Sequence, residues 1–175
     1  MKVRYKKLVL LITLLFAVAC SSQNTVPNVD IPVQDTNRVI YSLSSIQDTY
    51  KVGDVINIDV SVDTNDVSIL SGLVKFSYNP LVLGITENDI SEAGSIFSMW
   101  LPHTIESGNI TLRFGEPTPG VNTTVPKKIA TLEAKALKPG TTTLSLVKED
   151  LIAQDKTIEN IVNIDFLQDL TLTIQ

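Results

Sequence analysis

One cysteine, one histidine and one tryptophan leave this 175-residue chain few side chains with which to do chemistry. Any Ser-His-Asp or Cys-His arrangement would have to be built around His103, and no nucleophile-elbow sequence occurs to supply a serine. The setting Trp100-Leu101-Pro102-His103 reads as a strand end or loop that leaves the imidazole at the surface. Glycoside cleavage needs two carboxylates facing a cleft. The nineteen acidic residues are scattered over outward strand positions and turns, and no pair stands out. Asp63-Thr64-Asn65-Asp66 offers oxygens to a cation but lacks the glycine and closing glutamate of an EF-hand loop, so it reads as a turn. Asn109-Ile110-Thr111 and Asn122-Thr123-Thr124 match the acceptor pattern for N-glycosylation. Trp100, beside Phe97 and Met99, has two readings: a platform on which a sugar ring stacks, coplanar with Tyr50, or a core or rim residue. No catalytic residue, metal ligand or cofactor is nominated, and the reading is of a protein that is not an enzyme.

Cys20 is different, because of what precedes it. Lys2, Arg4, Lys6 and Lys7 give a basic start, residues 8–19 are apolar, and Ala17-Val18-Ala19 puts small residues before the cysteine. A charged region, a short apolar run and small residues at the cut make a secretory signal. The run is too short for a membrane-spanning helix, which needs about 20 apolar residues. Small residues followed at once by cysteine resemble the lipobox of bacterial lipoproteins. The resemblance implies that signal peptide 1–19 is removed, that the Cys20 sulfur is diacylated and that the new amino terminus is acylated. It also implies an extracytoplasmic protein held to the bacterial cell envelope by lipid. Ser21 after the lipidated cysteine, where there is no Asp, resembles outer-membrane sorting.

Loss of the signal removes four basic residues and no acidic ones, leaving ten against nineteen, a formal charge of −9. Such a surface has no attraction for nucleic acid, whose affinity rests on Lys and Arg meeting phosphates. It is mildly repelled by anionic lipid, so the acyl chains must hold the protein to the membrane. With Cys20 lipidated no thiol remains for disulfides or zinc. Residues 20–38 are polar, contain Pro27 and Pro32 and have no sustained periodicity, and read as a flexible tether. Eighteen coil residues reach about 25 Å on average and at most roughly 60 Å, enough to lift a domain clear of lipid headgroups.

From residue 39 onward the pattern has period two, which is the signature of strands with one face in a core and one in water. In residues 55–62, Ile56, Ile58, Val60 and Val62 alternate with Asn57, Asp59 and Ser61. Val74, Phe76 and Tyr78 alternate with Leu73, Lys75 and Ser77; Ile110, Leu112 and Phe114 alternate with Thr111 and Arg113. Residues 141–147 and 169–175 repeat the scheme. Residues 128–137 are rich in Ala and Leu, which suits a helix, yet Ala130, Leu132, Ala134 and Ala136 alternate with Ile129, Thr131, Glu133 and Lys135. They are assigned as a strand with small inward residues. Gly53-Asp54, Asn79-Pro80, Gly108-Asn109, Pro119-Gly120 and Pro139-Gly140 punctuate the strands as turns. The expectation is an all-β, two-sheet antiparallel sandwich of jelly-roll topology with about nine strands over residues 39–175.

Several ordered features of that stretch resemble the cohesin family, over about residues 41–175. Val52-Gly53-Asp54-Val55 opens an alternating strand, and Gly72 to Pro80 followed by Leu81-Val82-Leu83 resembles the family strand ending in Tyr-Asp-Pro, with Asn79 at the Asp position. Ser107-Gly108-Asn109-Ile110, Ile129-Ala130-Thr131-Leu132 and Pro139-Gly140-Thr141 resemble later blocks. The acidic, glycine-bearing loop before the last strand is represented only by Gln154-Asp155-Lys156-Thr157, so residues 151–162 are expected to depart locally. The resemblance implies a module that binds a dockerin-bearing partner on the outer face of one sheet, linked to polysaccharide degradation. Carried over by strand, the partner-binding positions are Leu73, Lys75, Ser77, Thr111, Arg113, Thr131 and Glu133, with Leu73 and Ile129 as the outward apolar residues. Two alternatives share the fold: a carbohydrate-binding module that takes polysaccharide through Trp100 and Tyr50, and a structural or adhesive surface lipoprotein.

Overall fold

The computed structural model describes residues 39–175. The signal peptide, Cys20 and the tether lie outside the described residues. Twelve strands form two packed sheets. One has the order β1 (Ile40–Ser45), β3 (Val55–Asp63), β9 (Lys127–Ala136), β5 (Leu83–Gly84), with β6 (Ile90–Ser91) also on β9. The other has the order β2 (Thr49–Tyr50), β12 (Leu170–Ile174), β10 (Gly140–Leu146), β4 (Ser71–Ser77), β8 (Asn109–Gly115), β7 (Met99–Glu106), with β11 (Ile152–Gln154) also on β4. The chain passes back and forth between the sheets, as a jelly roll does. Four of the twelve, β2, β5, β6 and β11, are only two or three residues long, and the remaining eight compare with the nine or so expected. The strand ladders are antiparallel except that of β12 with β2, and isolated parallel bridges join Val39 to Val162 and Ser42 to Gln168.

Alternation places the core where expected. Ile56, Ile58, Val60 and Val62 on β3 are fully buried and face Val74 and Phe76 on β4, Ile110 and Leu112 on β8, and Leu144 on β10 in one apolar cluster. Residues 127–136 are indeed a strand: Ala130, Leu132 and Ala134 pair with Val60, Ile58 and Ile56. Small side chains fit there because the core is close-packed between two sheets about 10 Å apart, and the β3 side chains opposite are already large.

Two bulges break the alternation, and each corrects a sequence expectation. Val60 pairs with Ala130 but Ser61 pairs with Lys128, so Ile129 is an extra residue in β9. The bulge turns Ile129 inward, fully buried, where strict period two had it outward. In β7, Leu101 pairs with Arg113 and Thr104 with Thr111, leaving Pro102 and His103 opposite the single Leu112. The segment is thus mid-strand rather than a strand end. Proline is tolerated because β7 is the edge of its sheet and the missing N–H breaks no ladder. The bulge also turns His103 in: its side chain is 12 % exposed, its Nε2 lies 3.1 Å from Glu92 Oε1 and its ring meets Trp100 edge-on. It is not the surface histidine its sequence setting suggested.

Tyr41 ties the two sheets. From β1 it crosses the core, and its hydroxyl donates to the Ile152 carbonyl on β11 at 2.7 Å. Gly72 makes room for it: a Cβ there would sit 2.4 Å from Phe114 Cε2 and 2.7 Å from the Tyr41 hydroxyl. Full burial pushes the Tyr41 phenol far above the ordinary tyrosine range. Phe114 packs on Phe97 at 4.4 Å between centroids and on Trp100 at 5.6 Å, forming an aromatic floor beneath β7, β8 and β4.

Candidate docking face

With Trp100, Leu112, Phe114, Val74 and Phe76 turned to the core, the residues between them must face outward. Strand register arranges those outward residues in rows that run across the seven-stranded sheet. One row is Leu101 on β7, Arg113 on β8, Leu73 on β4 and Ile152 on β11. The row beside it is Met99, Gly115, Ser71 and Gln154. Together they line a shallow, mainly apolar groove of about 380 Å³. Gly115, which has no side chain, lies on its floor next to Met99. Leu101 is 61 % exposed and Met99 48 %, whereas Leu73, Arg113 and Ile152 are half-buried.

Toward the other end of the sheet the face turns polar. Thr104, Thr111 and Lys75 form the third row, and Glu106, Asn109, Ser77 and Ser145 the fourth. Lys75 is not a free cation: its ammonium holds Asp150 at 2.6 Å. Thr111 keeps its outward register but is 8 % exposed, shielded within the strand surface. The Arg113 guanidinium takes part in no hydrogen bond or ion pair among the described residues. The face therefore combines an apolar strip, one unneutralised guanidinium within it and a polar flank.

Of the seven positions carried over from the sequence, this face brings together Leu73, Lys75, Ser77, Thr111 and Arg113. It does not include Thr131 and Glu133. Both lie on β9, in the other sheet, and point to the opposite side of the molecule. There Thr131 donates to Asp59 at 2.7 Å, and Asn57, Glu133 and Lys135 surround the pair in a solvated polar ladder. Period two told which residues face outward, but not from which sheet. Conversely, sequence reasoning missed Met99, Leu101 and Ile152. The alternation Met99-Trp100-Leu101 carried the signal: with the tryptophan inward, its neighbours are outward. Ile152 carried none, since β11 is a three-residue strand recruited by β4. Asn160 fixes that segment by donating to the Leu151 carbonyl at 2.8 Å and accepting from the Ala153 N–H at 3.1 Å.

The sugar platform is not formed. Tyr50 is buried, and the Trp100 indole is turned to the core with its N–H donating to the Phe97 carbonyl at 3.3 Å. Residues 63–66 act as the turn after β3: Asp63 accepts from the Asn65 N–H, and Thr64 is buried against Thr123.

No protein-family model and no curated relative matches the sequence. Solved structures do match the fold, cohesin modules among them. The third cohesin of ScaC from Acetivibrio cellulolyticus, in complex with the ScaB dockerin, has a TM-score of 0.64 at 13 % identity, over 78 % of this chain and 98 % of that one. A non-cellulosomal cohesin from the archaeon Archaeoglobus fulgidus has a TM-score of 0.63 at 16 % identity, over 79 % and 91 %. A cohesin from Clostridium acetobutylicum has 0.60 at 16 %, over 79 % and 92 %. The described domain is therefore a cohesin-like β-sandwich. At such identities the likeness is one of fold.

Proposed function

We propose that this protein is a lipid-anchored, extracytoplasmic bacterial lipoprotein whose sandwich docks a dockerin-bearing partner, and that it thereby holds a component of polysaccharide degradation at the cell envelope. Binding, not catalysis, is the activity. The observation that carries the reading is the Leu101–Arg113–Leu73–Ile152 row with Met99 beside it, an apolar strip on the outside of a sheet that an isolated domain would leave polar. The outer face of the opposite sheet is polar along β3 and β9 apart from Val55 at its end, and forms no such strip. The likeness to cohesins, one of them solved with its dockerin, supports a dockerin as the occupant. Cys20, acylated after signal cleavage, supplies the anchor, and residues 21–38 the reach. The test is calorimetric titration of the full chain against the dockerin modules encoded in the same genome. Binding that is lost in the double variant Arg113→Ala/Leu73→Ala, with unchanged circular dichroism, is the expected result; failure of every dockerin to bind refutes the reading.

A further inference from the structure

One edge of the seven-stranded sheet is open. β7 is the last strand on that side. It joins β8 through the two-residue turn Ser107-Gly108, both at positive φ, so the closing pair Glu106 and Asn109 is hydrogen-bonded. Bonded and non-bonded pairs alternate along an antiparallel ladder. β8 runs without interruption, so Thr111 and Arg113 also turn their backbone groups to β7 and bond Thr104 and Leu101. The N–H and C=O of Ile105 and of Trp100 therefore point away from β8, to the open side. No backbone group among the described residues takes them up. The segment before β7 bonds within itself and to β9 instead: Ser95 N–H donates to the Glu92 carbonyl and Ile96 N–H to the Lys128 carbonyl. The side chains of Trp100 and Ile105 turn toward the core and stay half-buried there.

Unpaired backbone groups at an edge are a template for another strand. Register selects which strand. Pro102 and His103 together face the single Leu112, so the bulge takes one place in the ladder. Trp100 then lies two places before the bulge and Ile105 two places after it. A twofold axis through the bulge sets Trp100 of one copy opposite Ile105 of the other, at both ends at once. Each such pair exchanges two hydrogen bonds, and none of them needs the N–H that Pro102 lacks. Each pair also lays a half-buried indole beside a half-buried isoleucine and completes the burial of both. On the outer face, Leu101 of one copy meets Thr104 of the other. A slip of one place sets free groups against occupied ones and loses every bond.

We propose that this protein pairs with a second copy of itself through β7, antiparallel about a twofold axis at the Pro102–His103 bulge, so that two seven-stranded sheets become continuous. The contact is short, at the small end of specific interfaces, which lies near about 1,200 Å² in total, and the dimer is accordingly weak and concentration-dependent. The docking strip lies on the outer face beside this edge, and the pairing does not depend on what occupies that strip.

Register-specific cross-linking is the test. Two differently tagged full-length chains are co-expressed, one with Leu101→Cys and one with Thr104→Cys, and then oxidised. Opposite residues of a non-bonded antiparallel pair have Cα atoms about 4.5 Å apart, within disulfide reach. The mixed dimer is expected, because each of these positions meets the other and neither meets itself. The parent chain, whose only thiol is that of Cys20, sets the background. No mixed dimer above that background, or same-variant dimers in equal amount, would overturn the proposal. A second readout needs no cysteine. In sedimentation equilibrium of the full chain in density-matched detergent, Leu101→Lys with Thr104→Lys sets like charges opposite one another and should weaken self-association about fivefold, whereas Leu101→Lys with Thr104→Glu sets opposite charges there and should restore it. Circular dichroism checks that both variants fold. A parent chain that stays monomeric at every concentration, or equal association of the two folded variants, would also overturn the pairing.

Discussion

At the scale of single residues, the consequential contacts are those that hold the aromatic floor under the docking face. Gly72 has no room for a side chain, because Phe114 and the Tyr41 hydroxyl occupy the space. Gly72→Ala should cost about 1–3 kcal/mol by overpacking, read as a shift in the urea midpoint. Tyr41→Phe keeps the ring but leaves the Ile152 carbonyl without its donor, at a cost of about 1–2 kcal/mol. Tyr41 also makes stability depend on alkaline pH. Its folded pKa is raised by burial, so the folded chain holds a proton that the unfolded chain releases once pH passes the ordinary tyrosine value. Its contribution is complete below that value and declines as pH rises above it. The stability difference between wild type and Tyr41→Phe, followed by urea unfolding, should therefore narrow on going alkaline from pH 10; a constant difference would show that Tyr41 titrates freely in the fold.

At the scale of elements, register decides everything and bulges decide register. β3 and β9 alternate as read, yet one inserted residue sends Ile129 into the core while Glu133, four residues on, remains in solvent. Ile129→Lys should then destabilise by about 3 kcal/mol or more, since it buries an unpaired charge, whereas Glu133→Lys should change stability by less than about 0.5 kcal/mol. Thermal unfolding of the two variants separates the bulged register from strict alternation, under which both would be benign. A bulge is hard to see in one sequence, because Lys128-Ile129-Ala130 fits an alternating strand in either register. The β7 bulge carried a cue, since Pro102 marks an edge strand, but not the direction in which His103 would turn.

At the scale of the whole molecule, the two faces of the sandwich are unlike, and only one has an apolar strip. Removal of Leu73 and Arg113 together should weaken partner binding by tenfold or more with the fold intact, as truncation of central anchors does, whereas Lys75→Ala should change it little because Asp150 already holds that charge. Calorimetry of both variants against one dockerin distinguishes them. The anchor is tested independently: Cys20→Ser should move the protein from membrane to soluble fractions, and retention on membranes would refute lipid attachment at that residue.

The strand positions, the inward sets Val74/Phe76 and Ile110/Leu112/Phe114, and the β-sandwich itself were legible in the sequence, because a chain with one wet and one dry face writes its period directly into residue type. The cohesin-like fold and the outward residues Leu73 and Arg113 were legible for the same reason, as each is a local pattern. What local pattern does not contain is adjacency between distant strands. Only the packed structure separates Thr131 and Glu133 from Leu73 and Arg113, since outward on one sheet and outward on the other look alike in a sequence of period two. Only the packed structure joins Leu101, Arg113, Leu73 and Ile152, which are scattered over eighty residues, into one row. Hydrogen-bond register between β7, β8, β4 and β11 sets that row, and register is a property of paired backbones, not of any single strand.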